Sequence, residues 1–316
     1  MRPLFVFLHE PPHIPFVKLH TLGFIVSVLL TLASVGLLAT RGLNFGIDFR
    51  GGIVMEVKAP GGSADLEAMR SKLNGLGLGE VALQSFGAPD DVLIRLPRQP
   101  GDDAAQQKGV ETVRNSLGTT YEYRRTEVVG PKVGGELIHA GTVATVLAIL
   151  AIAAYVWFRF EWQFGLGAVI STFHDVITTL GLFSLLQLEF NLTTLAAILT
   201  IAGYSINDTV VIYDRVRETM RKFKQMPLGG VIDLSLNETL SRTVLTSSVT
   251  AVAVLALLLF GGEVIRGFSA AMLWGIVIGT YSSLFIAAPL LLHVKPRRGG
   301  EKGEPAAVAG AKPTKA

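Results

Sequence analysis

The stretch "GYSINDTVVIYDR", Gly203 to Arg215, decides how this chain is read. It continues "NLTTLAAILTIA" (191–202), and the joined run is apolar enough to cross a membrane, yet it carries Asn207 and Asp208 before it ends. An ionisable side chain at a bilayer centre costs at least about 2.5–3.5 kcal/mol, so it faces a bundle interior and finds a partner there. What Asp208 meets is therefore the first thing to establish.

Working outward, the composition agrees with a membrane protein: of 316 residues, 50% are hydrophobic and only 17% charged. Crossing about 30 Å of hydrocarbon takes roughly 20 apolar residues per helix. Six runs of that kind occur, at 22–40, 138–158, 164–186, 193–213, 243–260 and 268–292. The first lacks a small-residue cleavage site and is expected to stay as an anchor. With no Cys in the chain, disulfides, a thiolate nucleophile and Cys-based metal sites are excluded. There is no G-x-x-x-x-G-K-[ST] phosphate loop, G-x-S-x-G elbow or H-E-x-x-H zinc helix. The chain is expected to be no enzyme, to bind no nucleotide and to need neither cofactor nor metal.

Basic residues orient the spans, because short loops rich in Lys and Arg stay in the cytoplasm. Arg215, Arg217, Arg221, Lys222 and Lys224 follow the fourth run, and Lys295, Arg297, Arg298 and Lys302 follow the sixth. The connectors "QLEFNL" (187–192) and "GGEVIRG" (261–267) hold one basic residue between them, Arg266, and belong outside. The expected organisation is a cytoplasmic segment 1–21, a span 22–40, an extracytoplasmic domain 41–137, five spans within 138–292 with a cytoplasmic connector 214–242, and a disordered cytoplasmic tail 293–316. The basic head of that tail suits contact with anionic membrane lipids. "HEPPHIPF" (9–16) breaks helices and has no reading from sequence.

The outer segment has a strand, helix, strand, strand, helix, strand pattern. "GIVMEVK" (52–58) alternates as a half-buried strand. Ser63 is placed to cap a helix whose Leu66, Met69 and Leu73 share one face. "EVALQSF" (80–86) and "DVLIRL" (91–96) form a hairpin across "GAPD" (87–90), a helix spans 102–117 with Val110, Val113 and Leu117 on one side, and "TYEYRRTEVV" (120–129) is the last strand. The order βαββαβ is the ferredoxin-like arrangement. RNA-binding domains share it, but no RNP-type aromatic run is present and the domain lies outside, so nucleic acid is not an expected partner.

Two further runs carry polar groups. The third, "AVISTFHDVITTL" (168–180), holds His174 and Asp175 near its middle, with Ser171, Asp175 and Thr179 on one face. The fifth opens "LSRTVLTSSVTAVAV" (240–254), with Arg242 at its cytoplasmic border and Thr243, Thr246, Ser247 and Thr250 on one stripe. Asp208 and Arg242 are expected at similar depth, with His174, Asp175, Asn207, Thr243, Thr246 and Ser247 as the surrounding polar network. Such a pair either glues helices together permanently or relays protons, and spacing leaves both open. Arg242 and the missing GxGD motif argue against an aspartyl protease. In the sixth run Ala271, Gly275, Gly279, Ser283 and Ala287 make a smooth seam, best suited to packing within the bundle. Ile232, Leu236 and Leu240 beside Asp233, Asn237 and Ser241 suggest a helix lying on the cytoplasmic surface.

Four pieces, "LNFGIDFRGG" (43–52), "HDVITTLG" (174–181), "GYSINDTVVIYDRVRE" (203–218) and "NETLSRTVLTS" (237–247), occur in the order found in the SecD/SecF family, and the chain resembles its SecF branch. The resemblance implies a six-helix half of the RND type in the bacterial cytoplasmic membrane and an outer domain after the first helix. It also implies partnership with SecD, the SecYEG channel and the translocating preprotein, and use of the proton-motive force to promote export. It assigns proton coupling to Asp208 and Arg242 and marks Gly46, Asp48, Gly51 and Gly52 as a family motif. The chain has no SecD half, so a complete proton path requires residues of another chain. An RND-like exporter of small molecules or lipids, or a passive scaffold, are the alternatives; one βαββαβ unit leaves the exporter little room for a substrate pocket.

Overall fold

The computed structural model describes residues 12–296, and the expectations for residues 1–11 and 297–316 lie outside the described residues. Helix α1 (Phe16–Thr40) leads into a short strand β1 (Asn44–Phe45) and a single turn α2 (Ile47–Arg50). Then β2 (Gly52–Lys58), α3 (Leu66–Asn74), β3 (Ala82–Phe86), β4 (Ala88–Leu96), α4 (Asp103–Leu117) and β5 (Glu122–Val129) form an α/β unit. Helices α5 (Pro131–Arg159) and α6 (Trp162–Leu186) follow, then β6 (Glu189–Phe190), α7 (Leu192–Lys222) and α8 (Leu228–Phe260). Helix α9 (Glu263–Ser282) passes through a π turn at Ser283–Ala287 into α10 (Ala288–Val294). Among the described residues six helices are long and apolar enough to cross a membrane: α1, α5, α6, α7, α8 and the joined α9–α10.

The helices outrun the apolar runs at their polar ends, because continuing a helix satisfies backbone groups that would otherwise need new partners. The connector expected at 214–242 shrinks to residues 223–227, between the end of α7 and the start of α8. No separate surface helix exists at 232–241: these residues are the first turns of α8, and Ile232 and Leu236 are buried in the bundle. Helix α1 starts at Phe16 rather than 22. Its first turn is held from across the chain, with Val17 N–H donating to Asp233 Oδ1 at 2.8 Å. Asn237 exchanges two bonds with the backbone of Ile14, each 2.9 Å. The described part of "HEPPHIPF" therefore docks on α8. At the other end α10 includes His293 and Val294, so the tail begins later than expected.

In the α/β unit the strands lie in the order β3-β4-β2-β5, with every neighbouring pair antiparallel. Helices α3 and α4 cover one face, where Ile53, Met55, Val57, Met69, Leu73, Val92, Ile94, Val110, Val113 and Leu117 form one apolar core. The cap of α3 is Asp65 and not Ser63: its Oδ1 accepts from Glu67 N–H and Ala68 N–H at 3.1 and 3.0 Å. The hairpin turn is tighter than "GAPD". Gly87, at φ +83°, makes it alone, and Ala88–Asp90 are strand.

The membrane bundle has two apolar clusters with a polar layer between them. Phe160, Phe164, Tyr213, Val216, Ile232, Leu236 and Leu291 belong to one cluster, and Phe183, Phe190, Ile198, Ile201, Met272 and Ile276 to the other. Between them along α6, α7, α8 and α9 lie the buried side chains of Asp175, Ser205, Asp208, Thr209, Thr243, Ser247, Ser282 and Ser283. Lipid tails give apolar helices no reason to prefer one another, so small-residue contacts and polar pairing fix how these helices meet. The seam on α9 packs inside the chain, against α7: a Cβ on Gly279 would stand 3.0 Å from Ser205 Cβ, and one on Gly275 would run into Ile201.

Candidate functional site

Asp175 sits at the centre of the polar layer and is 0% exposed. Its Oδ2 accepts from Ser205 Oγ of α7 at 2.6 Å and from Ser282 Oγ at the end of α9 at 2.8 Å. Its Oδ1 lies 3.0 Å from His174 Nδ1. One carboxylate thus ties three membrane helices. Ser282 and Ser283 both turn inward where α9 becomes the π turn; Ser283 Oγ meets Thr209 Oγ1 at 2.8 Å. Single π turns recur at functional sites because they re-aim side chains within a helix. Pro289, without an N–H, follows, and Tyr213 OH donates to Ala287 O at 3.1 Å.

Asp208 lies on the same face of α7 one turn further along, 5% exposed. It meets Ser247 of α8, whose Oγ lies 3.5 Å from Asp208 Oδ2 and 2.8 Å from Thr280 Oγ1. Among the described residues no ion pair joins Asp208 to Arg242. The equal depth expected for the two is therefore corrected. Asp208 is level with Ser247, five residues beyond Arg242, or about 7.5 Å along the helix at 1.5 Å per residue. The expectation placed the start of the fifth helix at Arg242, whereas α8 begins at Leu228. Arg242 instead lines a charged cleft of about 540 Å³ with Asp214, Arg215, Glu218, Arg221 and Glu238, where Arg215 bonds Glu238 and Glu218 at 2.6 and 2.7 Å.

The other sequence candidates divide. His174, Asp175, Thr243 and Ser247 are buried in the layer. Thr246 is exposed and its hydroxyl turns back to Arg242 O at 3.0 Å. Asn207 is also exposed, and it continues a stripe of exposed small or polar residues on α7, Thr193, Ala196, Thr200 and Gly203. Sequence reasoning missed Ser205, Ser282, Thr209 and Thr280. Their signal was present as hydroxyls within apolar runs, but only the pairing of helices tells which of them meet a carboxylate.

The glycine motif lies at the junction of bundle and α/β unit. Strand β1 pairs in parallel with β6, Asn44 against Glu189 and Phe45 against Phe190. Gly46 N–H donates to Phe190 O at 2.9 Å, and Asp48 Oδ2 accepts from Leu192 N–H, at the start of α7, at 2.9 Å. Gly51 and Gly52 have φ +72° and +132°, and a Cβ on Gly52 would lie 2.7 Å from Leu96 O.

Fold and site together define a polytopic α-helical membrane protein with a buried polar layer and an α/β unit inserted after its first helix. Two family models match: "Protein export membrane protein SecD/SecF, C-terminal" over residues 109–297 and "SecD/SecF GG Motif" over residues 36–59. A protein translocase subunit SecF of Rickettsia bellii is 49% identical over 280 residues, 87% of this chain and 91% of that one. A protein translocase subunit SecDF of Brucella abortus is 47% identical over 288 residues, 90% of this chain but 38% of that longer one. The crystal structure of SecDF from Thermus thermophilus, described as a translocon-associated membrane protein, matches with TM-score 0.79 and 34% identity, covering 94% of this chain and 40% of that chain. The chain belongs to the SecD/SecF family of protein export membrane proteins.

Proposed function

We propose that the chain is an auxiliary subunit of the Sec protein translocase that works with a SecD partner to promote preprotein export through the SecYEG channel, driven by the proton-motive force. The observation that carries the driven part is Asp208: a carboxylate buried midway along a membrane helix, with a hydroxyl as its neighbour and, among the described residues, no ion pair. An acid in that position, with the Arg242 charge acting on it only from a distance, is costly unless its own charge can change, and each proton crossing 100 mV supplies about 2.3 kcal/mol. Arg242, in the charged cleft one to two turns nearer the start of α8, keeps a fixed positive charge there and is placed to help drive the proton off on its way. Asp175 and its serines hold the helices around Asp208 in register.

The SecD partnership is supported by the exposed stripe Thr193, Ala196, Thr200, Gly203 and Asn207 on α7. Small and polar residues at membrane depth favour close approach of another helix over lipid contact. Relatives in which SecD and SecF are one chain fit this reading. The strand order β3-β4-β2-β5 supports the ferredoxin-like description of the 41–137 unit. Basic residues in the last turns of α7 and just after it, and those that follow α10 in sequence, support an extracytoplasmic unit, cytoplasmic termini and the bacterial inner membrane as its location.

The test is Asp208→Asn in vesicles holding the chain with its SecD partner, channel and preprotein motor. Assembly stays intact and the gradient-dependent part of export is lost. Export that still rises with the gradient in this variant removes the relay and leaves a scaffold.

A further inference from the structure

We infer that the segment 44–52 is a rigid clamp, with Asp48 as its positioning residue, that fixes the start of α7 to the first strand of the α/β unit. Glycine-rich segments usually serve as flexible joints, and this one lies where a joint would be expected. Its contacts argue the opposite. Asp48 reaches across 144 positions in sequence to the N-terminal turn of α7, where the Leu192 N–H it accepts has no partner inside the helix. Asn191 caps the same turn from within, accepting Thr194 N–H at 2.9 Å. The helix start is thereby held by two side chains, one of them belonging to the motif.

Further attachments close the clamp. Asn44 Nδ2 donates to Gln187 O at 3.0 Å, and Gly46 N–H to Phe190 O at 2.9 Å. Phe49 stacks on Phe190 with ring centroids 5.6 Å apart. A Cβ on Gly134 of α5 would lie 3.5–3.6 Å from the backbone of Asp48, Phe49 and Gly51. Arg95 of β4 pairs with Glu189 of β6, a second tie from sheet to helix start. The glycines serve close approach rather than motion. Gly52 is already paired in the sheet, opposite Val129, and its missing side chain makes room for Leu96 O.

Asp208 lies 16 residues beyond Leu192 on one unbroken helix, about 24 Å away. On the reading that Asp208 takes up and releases protons, any displacement of α7 along its axis passes through Asp48 to β2 and moves the α/β unit with it.

Two experiments on the full chain test this, the first on the chain alone in detergent, where Thr193 is free of the proposed SecD contact, and the second in its assembled complex. Because the chain has no native Cys, introduced thiols are the only ones it carries. In the first, spin labels at Thr193→Cys and Ala68→Cys report the distance between α7 and α3. One narrow distribution is expected, kept by Asp48→Asn, whose amide oxygen accepts the same N–H, and broadened by Asp48→Ala. An unchanged distribution in the alanine variant overturns the clamp. This measurement needs no transport and stands even if Asp208→Asn proves harmless. In the second, Asn44→Cys with Glu189→Cys, register partners in β1 and β6, replaces the Asn44–Gln187 and Arg95–Glu189 contacts by a disulfide that locks the segment. Gradient-driven export of the oxidised form is expected to match the unsubstituted chain within about twofold, while Asp48→Ala lowers it. Export that stops on oxidation and returns on reduction shows a hinge that must open, and overturns the inference.

Discussion

Replacing Asp175 by alanine removes the acceptor on which three helices converge. The cost follows from the geometry. Ser282 has a second acceptor, Gly279 O at 3.1 Å, and can turn to it. Ser205 Oγ and His174 Nδ1 have no alternative partner described, and each buried group left unsatisfied costs about 1–3 kcal/mol. The space vacated by the carboxylate adds a smaller cavity cost. Interhelical hydrogen bonds in membranes are worth only about 0.6 kcal/mol each on average, because the separated helices find other partners. Here the orphaned-group penalty outweighs that mean, since Asp175 is sealed from water and lipid alike. Asp175→Ala is therefore expected to destabilise the bundle by about 3–5 kcal/mol. Asp175→Asn keeps an oxygen for both serines and should lose about 1–2 kcal/mol. At about 2–4 °C per kcal/mol, the two variants differ by roughly 5–10 °C in thermal midpoint, measured in detergent on the full chain. Equal midpoints for alanine and asparagine would refute the reasoning, because shape and not hydrogen bonding would then decide the site.

A double-mutant cycle between Asp208→Asn and Arg242→Gln should give a stability coupling below about 0.5 kcal/mol, whereas Asp208→Asn with Ser247→Ala should couple by about 1 kcal/mol; the reverse ranking contradicts the depths assigned here. Gly52→Ala, at φ +132° and 2.7 Å from Leu96 O, should cost about 1–3 kcal/mol and speed proteolysis of the α/β unit, while Gly62→Ala, at φ +82° with open space around it, should cost less. The hydrogen bond from the Lys58 ammonium holds Asp90 below the usual carboxylate range. Its lowered folded value means the contribution is present above about pH 4 and is lost as pH falls through that lowered value. A carboxylate titration followed by NMR in Lys58→Met should show the value return toward normal; no movement would discount the pair.

The span count, the strand pattern and the presence of carboxylates inside apolar helices were legible in sequence, because apolar length and alternation are properties of neighbouring residues. Val110, Val113 and Leu117 on one helical face, and Gly52–Lys58 as a strand, needed nothing more. Pairing across the bundle was not legible. Arg242 was set level with Asp208 on the assumption that its helix starts at the polar border, and α8 in fact begins fourteen residues earlier, at Leu228. Asp233 and Asn237 turned out to hold the start of α1, giving residues near Ile14 a role that their own chemistry does not announce. Sequence by itself determined that acids are buried in this membrane protein. Only the tertiary structure decided that Asp175 gathers Ser205 and Ser282, that Asp208 meets Ser247, and that Asp48 caps α7. Depth, rotation and tilt of one helix against another are set by side chains far apart in the chain, and no local pattern encodes them.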